Sequence, residues 1–421
     1  MLSPLFLERM VYMDTEKFDF ETIIERRGMD ALAVDGAGKI KGFAPEKPQD
    51  GFSFIPMWIA DMNFATAPSI TKAMKERLEH PLFGYFAPST RYYNSIIDWH
   101  ERRKNVHGLL PEHIGYENGV LGGLVSALNV LASRGDHILV HSPVYIGFTK
   151  TLENNGYRMV RSPLVKDEKG IWRMDYEDMD RKIKENHIHT AIFCSPHNPT
   201  GRVWEREEIE KAMEVYRRNQ VFVISDEIWS DLIMAGNHHI PTQSVSEDAK
   251  MRTVALYAPS KTFNLAGLVG SYHIVYNSWL RERMEKQASL CHYNEMNVLS
   301  MHALTGAYSE EGEMWLEQLL TVIEGNHEYV VTHLNEKYPE IDVSKPEGTY
   351  MLFLDLQEWC DKYHTTIDQI QEKAWNVGVG FQDGRIFGGN CTIRMNLALP
   401  RKLLMEAMDR LDSYVLKGDI R

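Results

Sequence analysis

From about residue 115 the chain alternates short apolar, β-branched runs with polar turns and helix-period segments. His137–His141 runs into Ser142-Pro143, and Thr190–Cys194 runs into Ser195-Pro196. Val221–Ser225 runs into Asp226-Glu227, and Thr253–Tyr257 into Ala258-Pro259-Ser260-Lys261. Between them lie segments such as Glu205–Asn219, rich in Glu and Arg. Alternating buried strand and helix predicts an α/β fold: a mostly parallel sheet flanked by helices. In such sheets ligands collect beyond the carboxyl ends of the strands. The polar residues just named all fall at such ends.

Leu280 to about Tyr338 reads as predominantly helical, with no proline until Pro339. It would connect the sheet to a smaller C-terminal α+β domain. There Thr349–Leu356 and Thr392–Leu397 read as strands, Thr366–Val377 as a helix, and a last helix starts at Arg401. The first fifty residues are polar and turn-rich and read as an arm or outer layer. The implied division is 1–75 (arm and part of the small domain), 76–300 (large domain) and 301–421 (connecting helix and small domain).

Composition narrows the class. The 421 residues are 43% apolar and 25% charged, ordinary for a folded protein. No apolar run approaches 18 residues, so no membrane-spanning helix is expected. Leu5–Leu7 is cut short by Glu8 and Arg9, too early for a secretory signal. A net charge of −13 argues against a nucleic-acid partner. Cys194, Cys291, Cys360 and Cys391 are spread along the chain, with neither metal-ligand spacing nor the density of a disulfide framework. A cytoplasmic enzyme is the expectation.

Five features at strand ends point to one kind of chemistry. Lys261, in a Pro-Ser turn after a buried strand, is placed to lose part of its charge, as a Schiff-base lysine must. Taken alone, a lysine is usually a solvated surface group. Asp226 closes an apolar strand, where a carboxylate needs a cationic partner such as a pyridinium nitrogen; a helix cap is the bland alternative. Ser195-Pro196-His197-Asn198-Pro199-Thr200-Gly201 is a rigid turn that presents Asn198 as a donor, or an ordinary turn. Asn118-Gly119-Val120-Leu121-Gly122-Gly123 opens a helix whose free N–H groups suit a phosphate, although Gly-rich turns are common. Tyr145, after Pro143-Val144, offers a ring to stack on a flat cofactor, or a core aromatic.

In this order the five features resemble the fold-type I pyridoxal-phosphate enzymes, the aspartate aminotransferase superfamily. The resemblance runs from about Phe18 to the C-terminus. Longer strings look most like its cystathionine β-lyase (cysteine C–S lyase) branch: Met57-Trp58-Ile59-Ala60-Asp61-Met62-Asn63-Phe64, Phe83-Gly84-Tyr85, Ser260-Lys261-Thr262-Phe263-Asn264, Pro346-Glu347-Gly348-Thr349-Tyr350 and Asp383-Gly384-Arg385-Ile386-Phe387-Gly388.

The resemblance implies roles. Lys261 is similar to the lysine that bonds the cofactor and moves the substrate proton, Asp226 to the pyridinium partner and Asn198 to the donor for the ring oxygen. Tyr145 resembles the stacking ring. Val120 and Leu121 resemble the backbone phosphate donors, with Ser260 beside them. Tyr85 is similar to a tyrosine that reaches the neighbouring subunit's phosphate, which implies a homodimer. Arg394 resembles the arginine that clamps the substrate α-carboxylate; alone, it would read as a structural ion pair. Trp229 stands near the ring oxygen where relatives often have Tyr or His. Val269 replaces a basic residue, Ala258 a Ser and Asn63 an Asp. The implied reaction is β-elimination from cystathionine or a cysteine S-conjugate, giving pyruvate, ammonia and a thiol. A class I/II aminotransferase of an amino acid is the alternative, and a regulator with this cofactor fold acting through protein contacts a further one.

Overall fold

The computed structural model describes residues 18–291 and 295–417. Leu5–Leu7, Glu8 and Arg9 lie outside the described residues, as does the side chain of Cys291. The strands in chain order are β1 (Ile55–Met57), β2 (Ile114–Asn118), β3 (His137–Ser142), β4 (Arg158–Lys166), β5 (Trp172–Met174) and β6 (Thr190–Cys194). They continue with β7 (Phe222–Asp226), β8 (Thr253–Tyr257), β9 (Gly270–Ile274), β10 (Met351–Asp355), β11 (Val379–Asp383) and β12 (Thr392–Asn396).

The larger sheet has the order β2-β9-β8-β7-β6-β3-β4-β5. Its middle strands, β8, β7, β6, β3 and β4, are parallel. β9 is antiparallel to both β8 and β2, so β2 ends on the same edge as the parallel strands. Every residue of β6 and β8 is buried, as strands covered on both faces require. The faces divide by alternation. Ile192, Ile224 and Val254 pack with Leu124 and Leu128 of helix Gly119–Leu131. Ala191, Phe193 and Val223 pack with Ile209, Met213 and Tyr216 of helix Arg206–Arg218. That second helix opens on a capping box from Glu205 to Glu208 and closes on Arg217 and Arg218, charges that suit each helix end.

The smaller sheet has the order β1-β11-β12-β10, so a strand from the N-terminal part joins C-terminal ones. All three residues of β1 are buried. The two sheets meet where the turn after β6 touches the segment before β10. Glu347 N and Gly348 N donate to Gly201 O at 3.0 and 2.9 Å, and Thr349 N donates to Leu232 O at 2.8 Å. Gly201 has φ +72°, and a Cβ there would stand 2.6 Å from Pro346 Cβ. Only glycine fits such a turn at such a close approach.

The structure refines three sequence expectations. The run from Leu280 is three helices: Ser278–Cys291, Val298–Ala307 and Glu310–Lys337. Asn297 and Ser309 cap the second and third through their side chains, and such caps restart a helix without any proline. The N-terminal segment is more than an outer layer, because Phe20 is buried against Phe64 and Trp315. Two of the scattered cysteines meet: Cys360 Sγ and Cys391 Sγ are 3.1 Å apart. Among the described residues, no helix is long and apolar enough to cross a membrane.

Candidate active site

A cavity of about 220 Å³ opens at the carboxyl edge of the large sheet. It is built from consecutive strand ends, because each apolar strand must stop where its polar turn begins. Asp226 ends β7, and Lys261 sits in the turn after β8. Asn198 lies in the turn after β6, and Tyr145 follows β3. Val120 and Leu121 start the helix after β2. Trp229 and Ser260 complete the predicted set on the cavity wall.

Lys261 Nζ donates to Ala60 O at 2.7 Å and stands 5.9 Å from the centre of the Trp229 ring. Burial lowers its pKa to about 8; Asp61 and Asp226 oppose the shift, and Arg394 adds to it. A lysine in this condition loses its proton far more readily than a free one, so the neutral amine that a nucleophile or base requires is a minor form near neutral pH and the main one above about pH 8.

Asp226 is 4% exposed, and burial raises its pKa to about 7. Its Oδ1 accepts from Ile228 N at 3.1 Å. Its Oδ2 takes no hydrogen bond from the described residues. A turn, not a helix, follows Asp226, so it caps no helix. A buried carboxylate with a free oxygen on a cavity wall is a site for a cationic N–H.

Arg394 is 4% exposed, at the middle of β12. Its Nη1 donates to Asn198 Oδ1 at 3.0 Å and its Nη2 to Trp58 O at 3.1 Å, while its Nε is buried without a partner. Its guanidinium carbon lies 4.4 Å from the centre of the Phe387 ring. Burial pulls its pKa to about 10. No carboxylate pairs with it among the described residues. The structural ion pair that was the plain alternative is therefore absent from this structure. A buried guanidinium without an anion is poised for one supplied from outside. Arg394 stands behind Asn198 rather than on the cavity wall. The Asn198 amide, its oxygen taken by Arg394, is left with Nδ2 as a donor.

Helix Gly119–Leu131 begins without a side-chain cap, and Gly119 N donates to Val269 O at 2.9 Å. The N–H groups of Val120 and Leu121 therefore open the helix beside Ser260, a setting that favours an anion. Tyr145 packs edge-on against Phe148 at 5.4 Å, and burial raises the pKa of its phenol.

The departures also find their places. Trp229 is fully buried and stands edge-on to Tyr350 at 4.8 Å; its N–H has no hydrogen-bond partner among the described residues. Val269 lines the cavity with φ +58°, and Ala258 belongs to the core beneath. Asn63 is outside the cavity: its Oδ1 accepts from Arg26 at 2.9 Å. Tyr85 is fully exposed, and the single chain does not bring it to the cavity. Sequence reasoning passed over Ala60, Asp61 and Arg26 as parts of the site. The first two lie inside a string already singled out. Arg26, 35 residues before Asp61, gives no local signal.

A sequence model for aminotransferase class I and II matches residues 55–411. The chain belongs to the class I and II aminotransferase family. This family member is 32% identical over 398 residues to "Cystathionine beta-lyase PatB" of Bacillus subtilis (strain 168), covering 93% of the chain and 98% of that protein. A PLP-bound putative aminotransferase from Clostridium difficile 630 superimposes with a TM-score of 0.87 at 33% identity, over 95% of this chain and 100% of that one. The PLP-bound C–S lyase from Staphylococcus hominis gives 0.85 at 28% identity, over 96% and 99%. These solved structures share the fold-type I architecture described above.

Proposed function

We propose that this chain is a pyridoxal-phosphate-dependent C–S β-lyase acting on cystathionine and cysteine S-conjugates. The observation that carries it is the pairing of Lys261, its pKa lowered to about 8, with Asp226, raised to about 7, on one cavity wall in a chain of this family. Two carbon–sulfur lyases among its relatives favour elimination over amino transfer. The putative aminotransferase from Clostridium difficile keeps amino transfer as the second reading.

The residues fit the cofactor. Asp226 Oδ2 would accept from the ring N–H⁺, and Asn198 Nδ2 would donate to the ring oxygen. Val120 N, Leu121 N and the Ser260 hydroxyl would hold the phosphate. Tyr145 would cover a ring face. Lys261 would form the covalent attachment. When bound, pyridoxal phosphate supplies an electron sink for bond cleavage at the substrate Cα.

Arg394 would bind the α-carboxylate through its free guanidinium edge and so fix Cα near Lys261. Lys261 Nζ would take the Cα proton. Cleavage of the Cβ–S bond would release a thiol, and water would take the three-carbon remainder to pyruvate and ammonia. Trp229, backed by Tyr350, packs beside Lys261 and contributes to the burial that lowers its pKa.

The same reading makes the protein a cytoplasmic homodimer with shared sites. Its support is the fully exposed Tyr85 amid exposed Leu82, Phe83 and Phe86. Product analysis tests the function: pyruvate and thiol without an added keto acid support it, and keto-acid-dependent turnover alone refutes it.

A further inference from the structure

Cys360 lies in helix Gln357–Tyr363, and Cys391 immediately precedes β12. Their sulfurs are 3.1 Å apart. Two backbone bonds hold this register: Leu356 N donates to Cys391 O at 2.8 Å, and Cys360 N donates to Leu356 O at 2.8 Å. Bonded sulfurs lie at about 2.05 Å, so closure needs only about 1 Å of side-chain movement. Both thiols are buried, yet shallowly: exposed Asp361 follows Cys360, and exposed Asn390 precedes Cys391.

We propose that Cys360 and Cys391 form a reversible dithiol–disulfide site that exchanges with small-molecule disulfides. Burial raises both thiols, Cys391 to about 12, and the hydrogen bond with Cys391 opposes the rise at Cys360, which is the easier of the two to ionise. Cys360 is therefore the first nucleophile. Its thiolate attacks one sulfur of the small disulfide, breaks that S–S bond and expels one thiol. The Cys391 thiolate then attacks the Cys360 sulfur, forms the protein disulfide and expels the second thiol. Two protein thiols are oxidised and one small disulfide is reduced to two thiols. The reverse exchange with free thiol restores the pair. The thiol released by the proposed lyase reaction is one such reductant; this source rests on the lyase reading, and the bond itself does not.

The position gives the bond a consequence. Cys391 is three residues before Arg394 and four after Phe387. The Phe387 ring covers the Arg394 guanidinium, and Phe387 O accepts from Val144 N at 2.7 Å, beside Tyr145. A bond to Cys360 ties this segment to helix Gln357–Tyr363. Because Arg394 would hold the carboxylate in ground and transition states alike, oxidation should move KM more than kcat.

The test incubates the holoenzyme with excess oxidised glutathione, denatures it in an alkylating reagent and maps its peptides by mass. The expected result is a Cys360 peptide linked to a Cys391 peptide, two hydrogens lighter than the reduced pair, with neither cysteine alkylated. Dithiothreitol should restore both alkylations, and Cys360→Ser should abolish the link. KM for the substrate should shift severalfold between the two forms. Alkylation of both cysteines after oxidation, or separate glutathione adducts without a link, would overturn the site. A link with unchanged KM would overturn its connection to Arg394. Mass reads the bond whichever reaction the enzyme runs, so a failed lyase assay leaves this result independent.

Discussion

Lys261 Nζ donates to the backbone carbonyl of Ala60 at 2.7 Å. That carbonyl belongs to a strap, residues 58–62, whose carbonyls are all taken by side chains. Arg394 takes Trp58 O, and Asn396 takes Ile59 O and Asp61 O. Asn264 and Arg26 take Met62 O. The amine that would carry the reaction is thus held by a segment fixed from both sheets. Its hydrogen bond to Ala60 uses an N–H and orients the amine, while its lone pair becomes free once the ammonium proton is lost.

Lys261→Ala is therefore expected to fold and to lose the covalent cofactor adduct, with its visible absorbance. Borohydride reduction of the wild-type holoenzyme followed by peptide mapping should label Lys261. A label elsewhere would remove it from the centre of the account.

Asp226→Asn should cut turnover by orders of magnitude, since about two pKa units of lost ring protonation are already about 100-fold. The cofactor-free protein gives a second readout. The carboxyl of Asp226 is raised to about 7 when folded, so the folded chain holds its proton between about pH 4 and 7 while the unfolded chain releases it. The stability it contributes is full below about pH 4 and is lost as pH rises through 7, on the order of 4 kcal/mol at most. Denaturant titrations of the apoprotein at pH 5 and pH 8 should show this loss, and Asp226→Asn should flatten it.

Arg26 forms an ion pair with Asp61 at 2.7 Å, and Asp61 is the main charge that raises Lys261 against its burial. In Arg26→Met the Asp61 carboxylate loses its partner and acts more strongly on Lys261. The Lys261 pKa should rise. The rate at which the apoprotein takes up pyridoxal phosphate should then shift to higher pH, as stopped-flow absorbance would show. An unshifted profile would mean that Arg26 only anchors the N-terminal segment.

Much of this site was legible in the sequence because a parallel sheet puts its chemistry where apolar runs stop. Asp226, Lys261, Asn198 and Tyr145 each follow such a run, and the structure gathers them around one cavity. The strands β6 and β8 match their apolar runs because full burial leaves no alternation to misread. What escaped was non-local. β1 has three residues around Pro56 and exists through pairing with β11, more than 320 residues later. Arg26 reaches Asp61, and Cys360 meets Cys391, through tertiary structure alone. Tyr85 is fully exposed in the single chain, so its proposed role rests on the proposed second chain.

Val269 holds φ +58°, a costly conformation for a β-branched residue, and is half exposed at the cavity rim. Val269→Lys should relieve part of that strain and bring a cation to the phosphate end, tightening cofactor binding severalfold by equilibrium dialysis. Tyr85→Phe should weaken it if the partner subunit's phosphate is its target. Unchanged affinity in both would remove this account of the phosphate grip.

Elimination and amino transfer differ in their products, and Arg394 cannot distinguish them. Arg394→Ala should raise KM about 30-fold or more in either reaction, given the ~2–3 kcal/mol of a charge-assisted hydrogen bond to a carboxylate. The product decides. With cystathionine and no added keto acid, the purified holoenzyme should release pyruvate, ammonia and homocysteine in equal amounts over many turnovers. Turnover that appears only when a keto acid is supplied, with a new amino acid formed in proportion, would contradict the account.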